Sequence, residues 1–528
     1  MNHHQSWIKW LQFLLAIVIA LGICFRFVNL DQKPYWHDET FTSLRVSGYR
    51  LAEATEQLYN EQEIRIADLQ QYQRPSSDQS AIATIKGLAT EEPQHPPLYY
   101  VMAQFWAQWF GSSVIAMRSL PAIISLLAFP VIYWLCLELF GVALIGWMAV
   151  ALFSISPIYV RYAQEARQYS LWIVLILLSC IAILKATRRN TGLNWGIYTL
   201  TAIAGLYCHL LTVFVLLGHG LYVFVVERFR FSRNFTFYLL SCFISGIALL
   251  PWIWIIKANQ TAFAMTTDWM KQPVSILFLL QHWGVYLCQL FVSWHFQYNH
   301  LLAYLAFPVL IFIIFAVYSL CHQTPRRTWV LILTLVGVTA FALILPDLVL
   351  GGKRSTNPRY LLPCYLGLHL AIAYLLTTQL LQAQRSIARS RLWRMVTVLI
   401  LSAGFFTCSF NAQATTWWGW SEFDVEVSRI IHQSPQPLVI SEMPFGMITP
   451  LSYRLDPDTK LMLIANPDSL KIPTNYDRDV FVYNPSDRLQ SQLKQQGFQT
   501  ELIYQFRDGS FTLALHRLSI LQAKIATT

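Results

Sequence analysis

The sequence predicts a mainly α-helical, polytopic membrane protein of about eleven spans, with a large first external loop and a small C-terminal α/β domain. Three observations point there. Of 528 residues, 55% are hydrophobic and only 12% charged, far from the roughly one-quarter charged usage of soluble domains. Apolar runs of about 20 residues, each long enough to cross a hydrocarbon core of about 30 Å as a helix, recur from residue 11 to residue 410. The loops between them alternate in charge.

Arg and Lys concentrate in "KATRRN" (185–190), "ERFRFSRN" (227–234), "CHQTPRRTW" (321–329) and "QRSIARSRLWR" (384–394), which the positive-inside rule makes cytoplasmic. The spans then fall near 10–29, 117–137, 142–158, 170–186, 193–209, 211–226, 236–256, 302–320, 328–345, 361–382 and 395–411, with the N-terminus cytoplasmic and the C-terminus outside. The first run follows a lysine but continues into "CFRFVNL" without an A-x-A cleavage site, so it reads as a retained helix. Segment 274–294 is apolar too. Counting it as a crossing would move the arginines at 326–327 outside, so it is assigned to an interfacial or re-entrant helix.

Residues 1–411 are thus expected to form one transmembrane domain carrying the external loop 30–116, and 420–528 a separate external domain. The loop holds more acids than bases and closes on "HPPLYYVMAQFWAQWFG", an aromatic helix with Pro at its start that is too short to cross and should lie along the membrane surface. In the tail, "PLVIS", "LMLIA" and "DVFVYN" read as short buried strands, "PSDRLQSQLKQQGF" as a capped helix and "TELIYQFRDGSFTLALH" as a hairpin.

Composition also excludes. The net charge of +10 sits in short loops, where membrane orientation accounts for it, so no nucleic-acid partner is expected. The nine cysteines lie in or beside apolar runs with no C-x-x-C pair, and so resemble core residues more than a disulfide framework or zinc site. No H-E-x-x-H or P-loop occurs, and no cofactor is expected, although a divalent metal stays open.

Four groups could carry chemistry. Asp38 and Glu39 follow Tyr35, Trp36 and His37 just after the first span, where a helix cap is the plainer account. "SPIYVRYAQEARQYSL" (156–171) puts Arg161, Glu165 and Arg167 at the external face, where arginine is scarce; an Arg161–Glu165 i,i+4 surface pair would be worth only about 0.2–0.5 kcal/mol. "GGKRSTNPRYLLP" (351–363) places Lys353, Arg354, Arg359 and Tyr360 at the N-terminus of a span, where the helix dipole opposes cations unless an anion such as phosphate joins them. The alternative is three solvated loop charges. His209 falls at a tight external turn, where a lone histidine is more often structural.

The order of these segments carries a resemblance. A D-E pair after the first span, "HPPLYY" closing the first loop, "RSLPAIISL", "SPIYVRYAQEARQYSL" and "NPRYLLP" run in sequence from residue 30 to 365. In this the chain is similar to the GT-C class of membrane glycosyltransferases, nearest the branch of protein O-mannosyltransferases, aminoarabinose transferases and lipid A galacturonosyltransferases. The resemblance implies a polyprenyl-phosphate sugar as donor and inverting transfer to a hydroxyl or amine of a lipid, glycan or protein acceptor. It implies an enzyme of the cell envelope, in the plasma (inner) membrane, working at the outer leaflet. It assigns Asp38 as base or acceptor-orienting carboxylate with Glu39 beside it. A leaving lipid phosphate needs cations, and Arg359, Arg167 and either Lys353 or Arg354 are the candidates for that task. His95, Glu165, Tyr360 and His209 are further candidates. His95 is a departure, because several relatives carry Lys before the Pro pair. Two other readings compete: a secondary transporter, whose ionisable groups would lie near the midplane, and a non-catalytic assembly subunit displaying the C-terminal domain.

Overall fold

The computed structural model describes residues 2–75, 80–293, 301–382, 387–416, 422–472, 478–508 and 511–520. The last residue of segment 274–294, the first three of loop 384–394, and 420–421, 473–477, 509–510 and 521–528 of the predicted C-terminal domain lie outside the described residues. Two compact units emerge, and they interleave along the chain: residues 1–30, 88–102 and 118–413 form the first, and 31–87, 103–117 and 414–528 the second.

Among the described residues, eight helices are long and apolar enough to cross a membrane: Trp7–Phe27, Val114–Phe140, Tyr169–Arg188, Arg233–Ala258, Ala303–Gln323, Arg326–Val349, Pro358–Gln382 and Ile387–Gln413. A bent pair, Ala143–Ser154 and Pro157–Ala163, adds a ninth if taken as one span. The predicted spans at 193–209 and 211–226 appear as Gly192–Cys208 and Thr212–Val226, of 17 and 15 residues. Every predicted span therefore meets a helix, and this is a multi-pass membrane protein. Segment 274–294 yields only the 13-residue helix Ile276–Cys288, too short to cross straight. Its Trp283 indole donates to Ser355 Oγ at 3.0 Å.

The sequence reading had 142–158 as one continuous span, but it breaks with a bend of 65°. Pro157 is the cause: it has no N–H to donate and forces Ser156 into extended backbone (φ −73°, ψ 121°). The carbonyls freed by the break are met from the first span. Arg26 donates to Ser154 O at 2.6 Å and Phe153 O at 3.2 Å while also holding Gly22 O at 2.6 Å.

The second unit is a six-stranded mixed sheet. Its strands are β1 Glu63–Arg65, β2 Leu438–Ser441, β3 Lys460–Leu463, β4 Val480–Tyr483, β5 Phe498–Asp508 and β6 Phe511–Ile520, in the order β1-β3-β2-β4-β6-β5. β3, β2 and β4 run parallel, with Val439 opposite both Leu461 and Phe481, and the outer strands pair antiparallel. All four residues of β2 are buried, which an alternating strand covered on both faces requires. Val439, Leu461 and Phe481 pack with Val427, Ile431 and Ile448 on one face. Leu438, Ile440 and Val482 pack with Leu489 and Leu493 of the Asp487–Gln495 helix on the other. That helix starts as expected from its Ser486 cap, whose hydroxyl accepts from Leu489 N at 3.1 Å.

The domain division differs from the sequence reading. Residues 31–87 group with the C-terminal residues, and the first loop supplies β1. A three-residue edge strand joins through backbone alone and leaves no periodic signal in the sequence.

Within the second unit Asp424 is buried, and burial pushes its carboxyl up to about 8 despite the opposing Arg454 charge and Tyr483 hydroxyl. The folded state then holds a proton that the unfolded chain has released, so Asp424 lowers stability as pH rises from about 4 to about 8, by up to about 1.4 kcal/mol per pH unit, and adds no slope above that. Asp424→Asn should flatten this slope and be at least as stable as wild type near pH 8. Unfolding of the full chain in detergent, followed by fluorescence across that range, checks it; an unchanged slope rejects the assignment.

Candidate active site

In the first unit, the chain turns after the broken span and brings the residues of "SPIYVRYAQEARQYSL" together. Ser156 caps the short Pro157–Ala163 helix and anchors it through its hydroxyl to Leu290 O at 2.9 Å. Arg161 Nε then donates to Glu165 Oε1 at 3.0 Å, with the two side chains 15% and 1% exposed. The expected surface pair is a buried one. Glu165 thereby sits as counter-ion to Arg161, and so belongs to the framework of the turn.

Two residues on, Arg167 Nη2 lies 3.0 Å from His95 Nε2, and its guanidinium 5.9 Å from the Tyr100 ring centroid. Gln168 joins them, with Nε2 3.3 Å from His95 Nδ1 and Oε1 3.4 Å from the Tyr100 hydroxyl. "HPPLYY" and the 156–171 turn are therefore one structural cluster.

His209 ends the Gly192–Cys208 helix and is buried, its ring stacked on Trp172 at 4.2 Å and 13°. Its Nδ1 accepts from Leu211 N at 3.2 Å, which places the proton of the neutral ring on Nε2. The Tyr360 and Tyr169 rings both stand 6.2 Å from it. Arg359 is part of the same neighbourhood: its guanidinium is 5.5 Å from the Tyr360 ring and 5.9 Å from the Tyr169 ring. It lies in the short turn Pro358–Leu361 that leads into the Leu362–Gln382 helix, close to the predicted helix N-terminus.

The other two cations of "GGKRSTNPRY" have different surroundings. Asp347, an acid the sequence reading did not single out, accepts from Arg354 Nη1 at 2.9 Å and Arg354 N at 3.0 Å, and from Ser355 N and Oγ at 2.7 Å each. Its side chain is fully buried. Arg354 thus balances a buried carboxylate. Lys353 donates to Gln272 Oε1 at 2.7 Å and lies 5.8 Å from the Trp269 ring. Gly352 makes this loop possible: its φ is 129°, and a Cβ there would sit 2.7 Å from Met270 O.

Asp38 and Glu39 belong to the second unit, at the start of the His37–Val46 helix. Glu39 is buried and accepts from Trp36 N at 3.4 Å, the N-terminal capping role that the plainer account predicted. Asp38 is half-buried. The turn before it is held by His37 Nδ1, 3.1 Å from Gly446 O, and by the Tyr35 hydroxyl, 2.6 Å from Ser43 Oγ. Gly446 allows that approach, since a Cβ would fall 2.4 Å from the Phe41 ring.

Sequence reasoning missed Asp347, Trp172, Gln168 and Tyr100. The first is an acid just before a Gly-Gly-Lys-Arg loop, which is a usable signal for an internal ion pair; Tyr100 and Gln168 lay inside quoted motifs without being singled out, and Trp172 read as an ordinary span residue. Among the described residues no group of three or more His, Cys, Asp or Glu could hold a metal ion.

Residues 94–255, under a third of the chain, match the family model described as dolichyl-phosphate-mannose-protein mannosyltransferase. That stretch contains His95, the 156–171 turn and His209. No curated protein sequence matches. Among solved structures, ArnT from Cupriavidus metallidurans bound to undecaprenyl phosphate is similar over 96% of this chain and 98% of its own, with a TM-score of 0.55 at 11% identity. The apo form of ArnT covers 80% of this chain and 87% of its own at 13% identity, with a TM-score of 0.47. The fold is shared with ArnT over nearly the whole chain, in keeping with the resemblance that the motif order carries.

The contacts of Arg354 generate a test. Arg354→Gln leaves the buried Asp347 carboxylate without its counter-ion and should destabilise the protein by on the order of 3 kcal/mol. Unfolding midpoints of variant and wild type measured side by side check this, and wild-type stability in the variant would reject the pairing.

Proposed function

We propose that this chain is a membrane glycosyltransferase that moves a sugar from a polyprenyl-phosphate donor to an acceptor hydroxyl or amine on the outer face of the cell membrane, with inversion at the anomeric carbon. The placing of Arg167 and Arg359 around His209 supports it most. They come from motifs far apart in the chain; Arg167 meets His95 and Tyr100, Arg359 meets Tyr169 and Tyr360, and the charges of both guanidinium groups reach the His209 ring. Guanidinium forks with phenol and imidazole donors suit a phosphate. The fold similarity to a protein solved with undecaprenyl phosphate, and the match to a family described by its dolichyl-phosphate-mannose donor, support a lipid-linked donor.

In this reading the acceptor's oxygen or nitrogen attacks the anomeric carbon from the side opposite the phosphate. Asp38 takes the acceptor proton as that bond forms, and the carbon–oxygen bond to phosphate breaks with its electron pair leaving on the polyprenyl phosphate. Arg167 and Arg359 stabilise the charge that grows there. His209 offers an Nε2–H and Tyr360 a hydroxyl to the same oxygens. Glu39 holds the helix that carries Asp38. The basic loops support a cytoplasmic N-terminus and an external 420–528 domain. The acceptor is a lipid, glycan or protein of the envelope.

Asp38→Asn should lower transfer by about 10²- to 10⁴-fold with expression and insertion intact, since shape and polarity are kept. Envelope glycolipid and glycoprotein profiles of a deletion strain, complemented with wild type or Asp38→Asn, give the readout. Full complementation by the variant would remove Asp38 from the base role. Arg359→Ala should weaken donor use more than Arg359→Lys, which keeps charge and loses the bidentate fork. Transfer rate against donor concentration in liposomes measures both, and wild-type kinetics for Arg359→Ala would take it out of the phosphate site.

A further inference from the structure

We infer that His95 is a neutral hydrogen-bond acceptor that positions Arg167 for the donor phosphate, and is not itself a phosphate-binding cation. The inference rests on the proposed use of a polyprenyl-phosphate donor. It assigns this chain a solution different from a lysine at the same place.

The geometry of the cluster decides the protonation. Arg167 Nη2 lies 3.0 Å from His95 Nε2, and a guanidinium has only donors. Nε2 must therefore present its lone pair, and the ring proton sits on Nδ1. Gln168 Nε2 is 3.3 Å from that Nδ1, which would set two donors against each other. Amide oxygen and nitrogen are interchangeable by a half-turn, so Gln168 turns its Oε1 to accept from Nδ1–H and its amino group to the Tyr100 hydroxyl, where the present partner is 3.4 Å away. Every polar atom of Tyr100, Gln168, His95 and Arg167 named here then has a matching partner.

The result is a one-directional clamp: Tyr100 and Gln168 fix the imidazole, and the imidazole lone pair fixes one arm of the guanidinium. The Tyr100 ring 5.9 Å from the Arg167 guanidinium adds a second hold. Arg167 follows directly on the Arg161–Glu165 pair, so the backbone beneath it is braced as well. A lysine at 95 would bring an ammonium against the guanidinium. It would push away the arginine that the histidine holds.

The test uses the full-length protein in detergent, with undecaprenyl phosphate as the probe and dissociation constant as the readout. Wild type should bind, and Arg167→Ala should bind at least about tenfold more weakly, the scale of one hydrogen bond to a charged group. His95→Gln keeps an acceptor and should stay within about threefold of wild type, whereas His95→Lys should lose about tenfold. A double-mutant cycle isolates the mechanism: His95→Ala should weaken binding about tenfold alone and have no further effect when added to Arg167→Ala. Should His95→Ala fail to fold, the Gln and Lys variants decide the question. Binding by His95→Lys as tight as wild type, additive losses in the cycle, or wild-type affinity in Arg167→Ala would each overturn the inference. Absence of binding by wild type would instead overturn the donor assignment on which it rests.

Discussion

The first unit depends on how a broken helix is made tolerable in a buried setting. Pro157 ends the Ala143–Ser154 helix early and leaves carbonyls without helical partners among buried residues, where each unsatisfied group would cost about 1–3 kcal/mol. Arg26 supplies the donors for Phe153 and Ser154, its guanidinium lying 4.9 Å from the Phe129 ring and 5.5 Å from the Phe153 ring, and Cys408 Sγ donates to Ile155 O at 3.0 Å. Close approach is built in. A Cβ at Gly22 would fall 2.5 Å from Ser154, and one at Gly404 2.9 Å from Ile155 O. The first and last helices of the bundle are thus tied to the break, and the break aims residues 157–168.

From that turn the site's charges acquire distinct tasks. Arg161 is matched to Glu165 and Arg354 to Asp347, both acids nearly or fully buried. These pairs shape the backbone. Arg167 and Arg359 also lie among imidazole, amide and phenol groups, which orient a guanidinium through directional contacts. The second unit builds differently. A short parallel core, buried on both faces, is extended by antiparallel strands, one of them taken from the loop that also carries Asp38.

Much was legible in the sequence. Each predicted span met a helix because a 20-residue apolar run has few other stable fates in a bilayer, and the strands, the capped helix and the hairpin of the tail followed from local period and turn chemistry. The motif order also identified the fold class. Less legible was the site. Asp38 and Glu39 read as a pair, yet Glu39 caps its helix. Lys353, Arg354 and Arg359 read as one cationic group, yet a buried aspartate six residues upstream of Lys353 separates Arg354 from Arg359.

The sequence by itself determined what depends on neighbours along the chain: hydrophobic length, loop charge, caps and the identity of the motifs. Tertiary structure alone decided which charges are neutralised, because that turns on contacts between residues far apart, such as Arg26 with Ser154 or His95 with Arg167. It also decided that the first loop adds β1 to a sheet whose other strands lie beyond residue 437. Backbone pairing at a sheet edge and the hydrogen-bond direction of an imidazole are set by geometry, and neither writes a pattern into the residues that make it.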